Sequence, residues 1–419
     1  MIAKKLIATL AVSATLALAL SGCSAASGEN NDGTTTLNVV GYVGGSAEPA
    51  NIPEINAAFE AANPDIKVKY KYVQNTAYDQ YMNTRLASGS APDVVMTDPN
   101  RIRQWGKEGY LADLSDTPLA STMLDSVTPF AQVEGKTLGV ILQNVPIGLY
   151  ANMDILSKAG IDEVPQDWPS FLESLDKLKA AGQPGLLLAN QTGWTSEQLM
   201  FALSASLIPA DWAPNYDDGD SKFNPTWKPI LERIQELLTD GYVDGKTMNG
   251  VEPFSDGNSL FAQGKYAYTI MGAWQLQSFA KDADFDFTLN PVPGGDAGTE
   301  PASFTFVGLG LSVSSASKQQ EAAQKYVEFF TEAEQYTGFM KAETSFTTLK
   351  GVDSLPLEHA DSFVEAFNDG RTVPSPVEYM KAPDPETTTK NVGSQLFDDP
   401  TQSLTSLLDQ MDAGIAKTP

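Results

Sequence analysis

The sequence predicts an α/β protein folded as two domains. From Leu37 onward, apolar residues switch back and forth between the two-residue period of strands and the spacing of amphipathic helices. The chain has 419 residues, more than one hydrophobic core usually organises. No clean internal repeat occurs, which disfavours solenoids and propellers. Hydrophobic residues make up 42% and charged residues 19%, the profile of an ordinary folded chain rather than a disordered one.

The elements follow in order. LNVVGYV reads as a short strand. IPEINAAFEAAN then sets Ile52, Ile55, Ala58, Phe59 and Ala62 on one helical face before Asn63-Pro64 ends it. IKVKYKYV alternates as a strand does, YDQYMNTRLASG forms a helix closed by Gly89, and APDVVMTD is a buried strand running into a polar loop. This alternation argues for a largely parallel sheet. A helix around Ile102 to Gly109 comes next, then two short strands in EGKTLGVILQNVPIGLYANMDILSKAGI broken at Gln143 and Asn144, with a helix after them. VPQDWPSFLESLDKLKAAG starts with a proline turn and continues as a helix through Phe171, Leu172, Leu175 and Leu178. Helices continue in SEQLMFALSASL and WKPILERIQELLTDG, and SLFAQGKYAYTIMGAW is a helix followed by a strand. FTFVGLGLSVSS reads as one more strand before the helix EAAQKYVEFFTEA.

Net charge bounds the partners. At −26 the chain repels phosphate backbones, which argues against nucleic acid. A single cysteine makes no intrachain disulfide, and with one histidine, His359, no zinc or iron-sulfur set and no cofactor site is indicated. His359 is expected at the surface, and catalysis that needs several imidazoles is excluded.

Residues 1–22 read as a secretory signal: Lys4 and Lys5 supply the positive end, and Leu6 to Leu20 carries no charge. The run is short for a membrane span. Leu20, Ser21, Gly22 and Cys23 resemble the lipobox of bacterial lipoproteins, which implies cleavage before Cys23 and attachment of lipid to its sulfur. Residues 24–36, SAASGENNDGTTT, have the composition of a flexible tether.

The order of elements resembles the extracellular solute-binding proteins of ABC importers, family 1, the group that includes the maltose-binding protein. The stretches that carry the likeness are APDVVMTDPNRIRQWGKEGYLADLSD, the Glu134–Ile161 segment with VPQDWPSFLESLDKL, LFAQGKYAYTIMGAW and VGLGLSVSSASKQQEAAQKYVEFF. The resemblance implies a two-lobe periplasmic-binding-protein-like fold of type II with a ligand cleft between the lobes. It puts residues 37–142 and 308–350 in one lobe, residues 147–303 and 351–419 in the other, and hinges near 143–146 and 304–307. It also implies a sugar ligand, a permease with a cytoplasmic ATPase as partner, and a monomer held at the outer face of the bacterial cell membrane by the lipid on Cys23. No phosphate-binding loop G-x-x-x-x-G-K-[ST] occurs in the chain itself.

Loops at the carboxyl ends of strands are the expected ligand positions. They offer Tyr42, Glu48, Asn75, Tyr78, Asp98 and Asn144, whose amides, hydroxyls and carboxylates suit adjacent sugar hydroxyls. Sugars also present C–H faces to aromatic rings. Trp194 and Trp274 lie in stretches that resemble ligand-contacting parts of the family, with Glu197 following Trp194 either as a ligand contact or as a helix cap. Phe304, Phe306 and Phe346 are candidate cleft walls. Trp105, Trp168 and Trp227 sit in amphipathic helices and are expected to pack in cores, while Trp212 has no clear place. Two other functions fit less of the chain: a non-sugar solute such as a polyamine or peptide, and a secreted glycoside hydrolase using Asp98 and Glu48 as a carboxylate pair.

Overall fold

The computed structural model describes residues 33–43, 51–216, 219–380, 382 and 385–415. The signal segment, Cys23 and Glu48 lie outside them. In chain order the first strands are β1 Thr35–Val43, β2 Ile66–Gln74, β3 Val94–Thr97, β4 Gln132–Val133, β5 Lys136–Thr137, β6 Val140–Ile141 and β7 Asn144–Asn152. The remainder are β8 Leu186–Leu187, β9 Tyr268–Gly272, β10 Phe287–Asn290, β11 Ser303–Val307, β12 Gly310–Val313 and β13 Thr372–Pro374.

Two separate sheets organise two lobes. The first has the order β2-β1-β3-β12-β6, and the second β13-β11-β7-β9-β8 with β10 also on β7. The expectation of a largely parallel sheet needs correction. In the first sheet β2, β1 and β3 are parallel, but β12 runs antiparallel to both β3 and β6. In the second, β7 is antiparallel to β9, β10 and β11. The strands from strand–helix–strand units are the parallel ones, because their crossovers return the chain in the same direction. The late strand β12 arrives from the other lobe and meets no such constraint.

FTFVGLGLSVSS, expected as one strand, is two strands in different sheets. β11 belongs to the second sheet and β12 to the first, with Gly308 and Leu309 between them. The outgoing passage is its mirror: β6 ends in the first sheet and β7 begins the second after Leu142 and Gln143. The two passages are bonded to each other. Leu142 N donates to Leu309 O (2.8 Å), Gly308 N to Gln143 O (3.0 Å) and Leu309 N to Gln143 Oε1 (3.2 Å). Gln143 Nε2 donates to Glu343 Oε2 (2.9 Å), so one side chain joins three segments. A third passage follows: Phe346 packs in the second core, Leu349, Val352 and Leu355 against the first, and Leu357 in the second.

Each lobe has its own core. One gathers Leu37, Phe59, Trp105, Val140, Tyr326 and Phe339, and the other Leu149, Phe171, Phe201, Trp227, Phe279 and Met411. Local signals set the helix ends. Asp98 caps the helix Pro99–Lys107 by accepting from Arg101 N, and Asp167 and Ser170 form a reciprocal cap on Trp168–Ala180, each helix opening with proline in its first turn. The helix Trp194–Leu207 is buried nearly all round, packed between its own sheet and the helices Lys228–Thr239 and Pro385–Asp398. His359 lies at the surface with its ring stacked on Phe287 at 4.4 Å.

Candidate functional site

Two clusters stand next to the passages between lobes. On the second lobe, Trp194 opens its helix after Gly193, and Trp274 lies in the short turn that ends β9. Their ring centroids are 6.1 Å apart. Phe254, from the turn Pro253–Gly257, completes the group at 4.9 Å from Trp194. Phe254 is 46% and Trp274 39% exposed, and no other large hydrophobic side chains among the described residues are comparably open. A solvated aromatic surface of this kind is costly to leave unoccupied and suits a ligand with apolar faces.

On the first lobe, Tyr42 at the end of β1 packs edge-on against Tyr78 (5.1 Å), and the Arg101 guanidinium lies 4.5 Å from the Tyr42 ring centre. Arg101 is held by Asp79 (2.7 Å) and Asp98. Burial raises the Tyr42 hydroxyl above the ordinary phenol range, and the Asp98 charge adds to it. Asp98 itself is raised by burial, an effect that Arg101 opposes.

A run of carboxylates connects the clusters. Glu386, at the start of the helix Pro385–Asp398, repels Asp98 of the first lobe and Glu197 of the second. Glu197 is fully buried one turn beyond Trp194, where Thr389 Oγ1 donates to it and Lys390 Nζ lies 3.6 Å away. Lys390 is closer to Glu386, at 2.7 Å. Burial first and Glu386 second therefore push Glu197 well above the carboxylate range despite the lysine. Glu197 caps nothing, since Gly193 enters the helix in a left-handed conformation without a side-chain cap.

Several expected site residues are placed in supporting roles. Tyr78 is fully buried, and its hydroxyl donates to the carbonyls of Met96 (2.7 Å) and Val40 (3.2 Å), so it braces Tyr42 from below. Phe304 is buried against Phe201, and Phe346 stacks on Phe367 at 4.4 Å. These two rings fill the second core because β11 and the third passage turn them inward. Phe306, the alternate residue of β11, is half-buried. Asn144 is buried at the start of β7, accepts from Phe346 N (2.9 Å), and has no hydrogen-bond partner on Oδ1. Asn75 begins the helix Asn75–Ala87. Trp105, Trp168, Trp212 and Trp227 are all core residues. Phe254 and Arg101 were missed. Phe254 is hidden in a polar proline turn, although an aromatic residue in such a turn is itself a signal, and Arg101 looks like any helix cation.

Among the described residues no helix is long and apolar enough to cross a membrane, and no group of three metal-ligating side chains occurs.

Comparison with known proteins agrees with this architecture. The profile of the bacterial extracellular solute-binding protein family matches residues 44–337. The multiple sugar-binding protein of Streptococcus mutans is 25% identical over 315 residues, covering 72% of this chain and 73% of its own. The maltodextrin-binding protein MdxE of Bacillus subtilis is 28% identical over 342 residues, covering 78% and 76%. The solved structure of a family 1 extracellular solute-binding protein from Bifidobacterium longum subsp. infantis superposes with a TM-score of 0.73 at 22% identity, covering 91% of this chain and 98% of that one. The two-lobe α/β fold is that of type II periplasmic-binding proteins, and the chain belongs to the bacterial extracellular solute-binding protein family.

Proposed function

We propose that this protein captures a sugar, an oligosaccharide, between its two lobes and delivers it to the permease of an ABC importer, with no covalent chemistry of its own. The observation that carries the reading is the aromatic group in which exposed Phe254 and Trp274 flank the half-buried ring of Trp194, a surface that suits the C–H faces of sugar rings. The relatives named for multiple sugars and for maltodextrin support the same ligand class. Tyr42, Asp98 and Asn144 then supply polar contacts from the facing lobe and the crossing, with Glu48 and Asn75 as further candidates from the adjoining loops. Residues 37–142 with 308–345, and 147–303 with 357–415, move as lobes, and residues 346–355 pass between the two cores. The hinges expected near 143–146 and 304–307 fall largely within β7 and β11, which pair in the second sheet, so the adjoining bonded passages at Leu142–Gln143 and Gly308–Leu309 absorb the dihedral change of closure.

Lipid on Cys23 holds the protein, as a monomer, at the outer face of the bacterial cell membrane, and ATP hydrolysis belongs to the partner. A polyamine or peptide would need cation-binding or main-chain contacts rather than a ring surface. A hydrolase would need a free carboxylate pair, whereas Asp98 is engaged as a helix cap and ion-pair partner. Incubation with linear oligosaccharides tests the reading: saturable binding with the glycan recovered uncut supports it, and cleavage products would replace it with the hydrolase.

A further inference from the structure

After β13 the chain makes one tight turn, Pro376–Tyr379, that touches both lobes beside the crossings. Glu378 sits at its centre, 4% exposed. Its Oε1 accepts the backbone N–H of Val307, the last residue of β11 before the passage to the first lobe, at 2.7 Å. Its own carbonyl accepts from Arg103 Nη2 of the first lobe at 2.8 Å. Tyr379 follows with its ring edge-on to Phe130 of the first core, 4.8 Å away. Glu378 Oε2 is buried and has no hydrogen-bond partner.

We propose that Glu378 is a positioning residue of the hinge: as the neutral acid it clamps β11 through Val307 while Arg103 holds its main chain, and loss of its proton shifts the lobe angle. The inference rests on the lobe-closure reading but not on the identity of the ligand. The charged and titratable groups facing Glu378 are Asp98 and Arg103 from the first lobe, Glu386 from the helix Pro385–Asp398, and the neighbouring Tyr379; β11 contributes none. A neutral carboxyl at this position leaves one O–H unpaired, a smaller cost than a buried charge that two other carboxylates, Glu386 and Asp98, repel. Burial is the main cause that raises Glu378 well above the carboxylate range, with Glu386 and Asp98 adding to it and Val307 and Arg103 opposing. Asp98 and Glu386 belong to different lobes, so a charge on Glu378 is relieved by rotating one lobe against the other.

The test uses the full chain with Cys23→Ser and cysteines placed at two exposed positions, Glu108 on the first lobe and Lys281 on the second, carrying a donor and an acceptor dye. Transfer efficiency is followed without ligand from about pH 4 to about pH 10, a range that extends past the values reached by fully buried carboxyls. The wild-type efficiency is expected to shift in one direction as pH rises, and Glu378→Gln to hold the low-pH value throughout. Glu378→Ala, which lacks the Val307 bond, should differ from wild type at low pH and lose the pH-dependent shift. A flat wild-type profile overturns the proposal, as does a Glu378→Gln profile that follows the wild type. Should Glu378→Gln fail the circular-dichroism check for folding, a Glu378→Ala profile with the wild-type shift is equally contradictory. None of these readouts requires a sugar, so a failure here is separable from a failure to bind oligosaccharide.

Discussion

Gly272 and Trp274 are matched by close approach: a Cβ on Gly272 would overlap the Cζ3, Cη2 and Cε3 atoms of the Trp274 ring. The six-membered ring of the indole therefore lies against bare backbone at the end of β9. Gly272 has φ −81° and ψ 159°, extended values open to any residue. Its glycine identity serves the ring rather than the chain.

Gly272→Ala is accordingly expected to displace Trp274 without straining the strand. Oligosaccharide affinity should fall about tenfold, near 1.4 kcal/mol, with little change in thermal midpoint. Fluorescence titration of the variant beside wild type reads both effects, and unchanged affinity would mean that the seating of this ring does not matter to binding.

Trp274→Ala removes the ring itself and should weaken binding by more than tenfold. Phe254→Ala should weaken it as well, and both variants should melt close to wild type because the two side chains are the most open of the large hydrophobics. Trp227→Ala makes the opposite pair of effects. Its fully buried ring packs on Phe223, Trp212 and Phe201, so stability should drop by about 3–5 kcal/mol while the affinity of the folded fraction is kept.

Much of this arrangement is written locally, and the rest is not. The alternation in IKVKYKYV predicts β2, and the unbroken apolar run in VPIGLYAN fits a strand buried at every position. The insertion of β12 between β3 and β6 leaves no local trace, because its partners lie some two hundred residues away along the chain. The same limit governs the site. Trp194 and Trp274 are singled out by the family resemblance of their stretches, yet Tyr78, Phe304 and Phe346 are aromatic candidates too and differ in what packs over them. Glu378 draws no notice in the sequence, since its importance comes from Val307, Arg103 and Asp98, all distant in the chain.

Glu197 makes stability depend on pH in a direction fixed by its environment. Its folded-state pKa is raised well above the carboxylate range, so its contribution is fully present below the unfolded pKa and is lost as pH rises through the folded one. The wild-type midpoint should fall more steeply than that of Glu197→Gln between about pH 5 and pH 8. Parallel melting curves for the two proteins across this range would contradict the assignment.

Cys23→Ala should release the protein from the membrane fraction and leave ligand affinity unchanged, measured by fractionation and titration of the same preparation. On the proposed anchoring and delivery, the effective concentration of loaded protein beside the permease falls in this variant, so uptake at low sugar should suffer before binding does. Retention of the variant in the membrane fraction would argue against the lipid.

The most direct measurement of the central claim is calorimetric titration of a panel of linear oligosaccharides, polyamines and short peptides, with tryptophan fluorescence recorded in parallel. At least one oligosaccharide should bind saturably and shift the emission of Trp194 and Trp274, a shift reduced in Trp274→Ala. Binding of a polyamine or peptide with no response to any sugar would contradict the account.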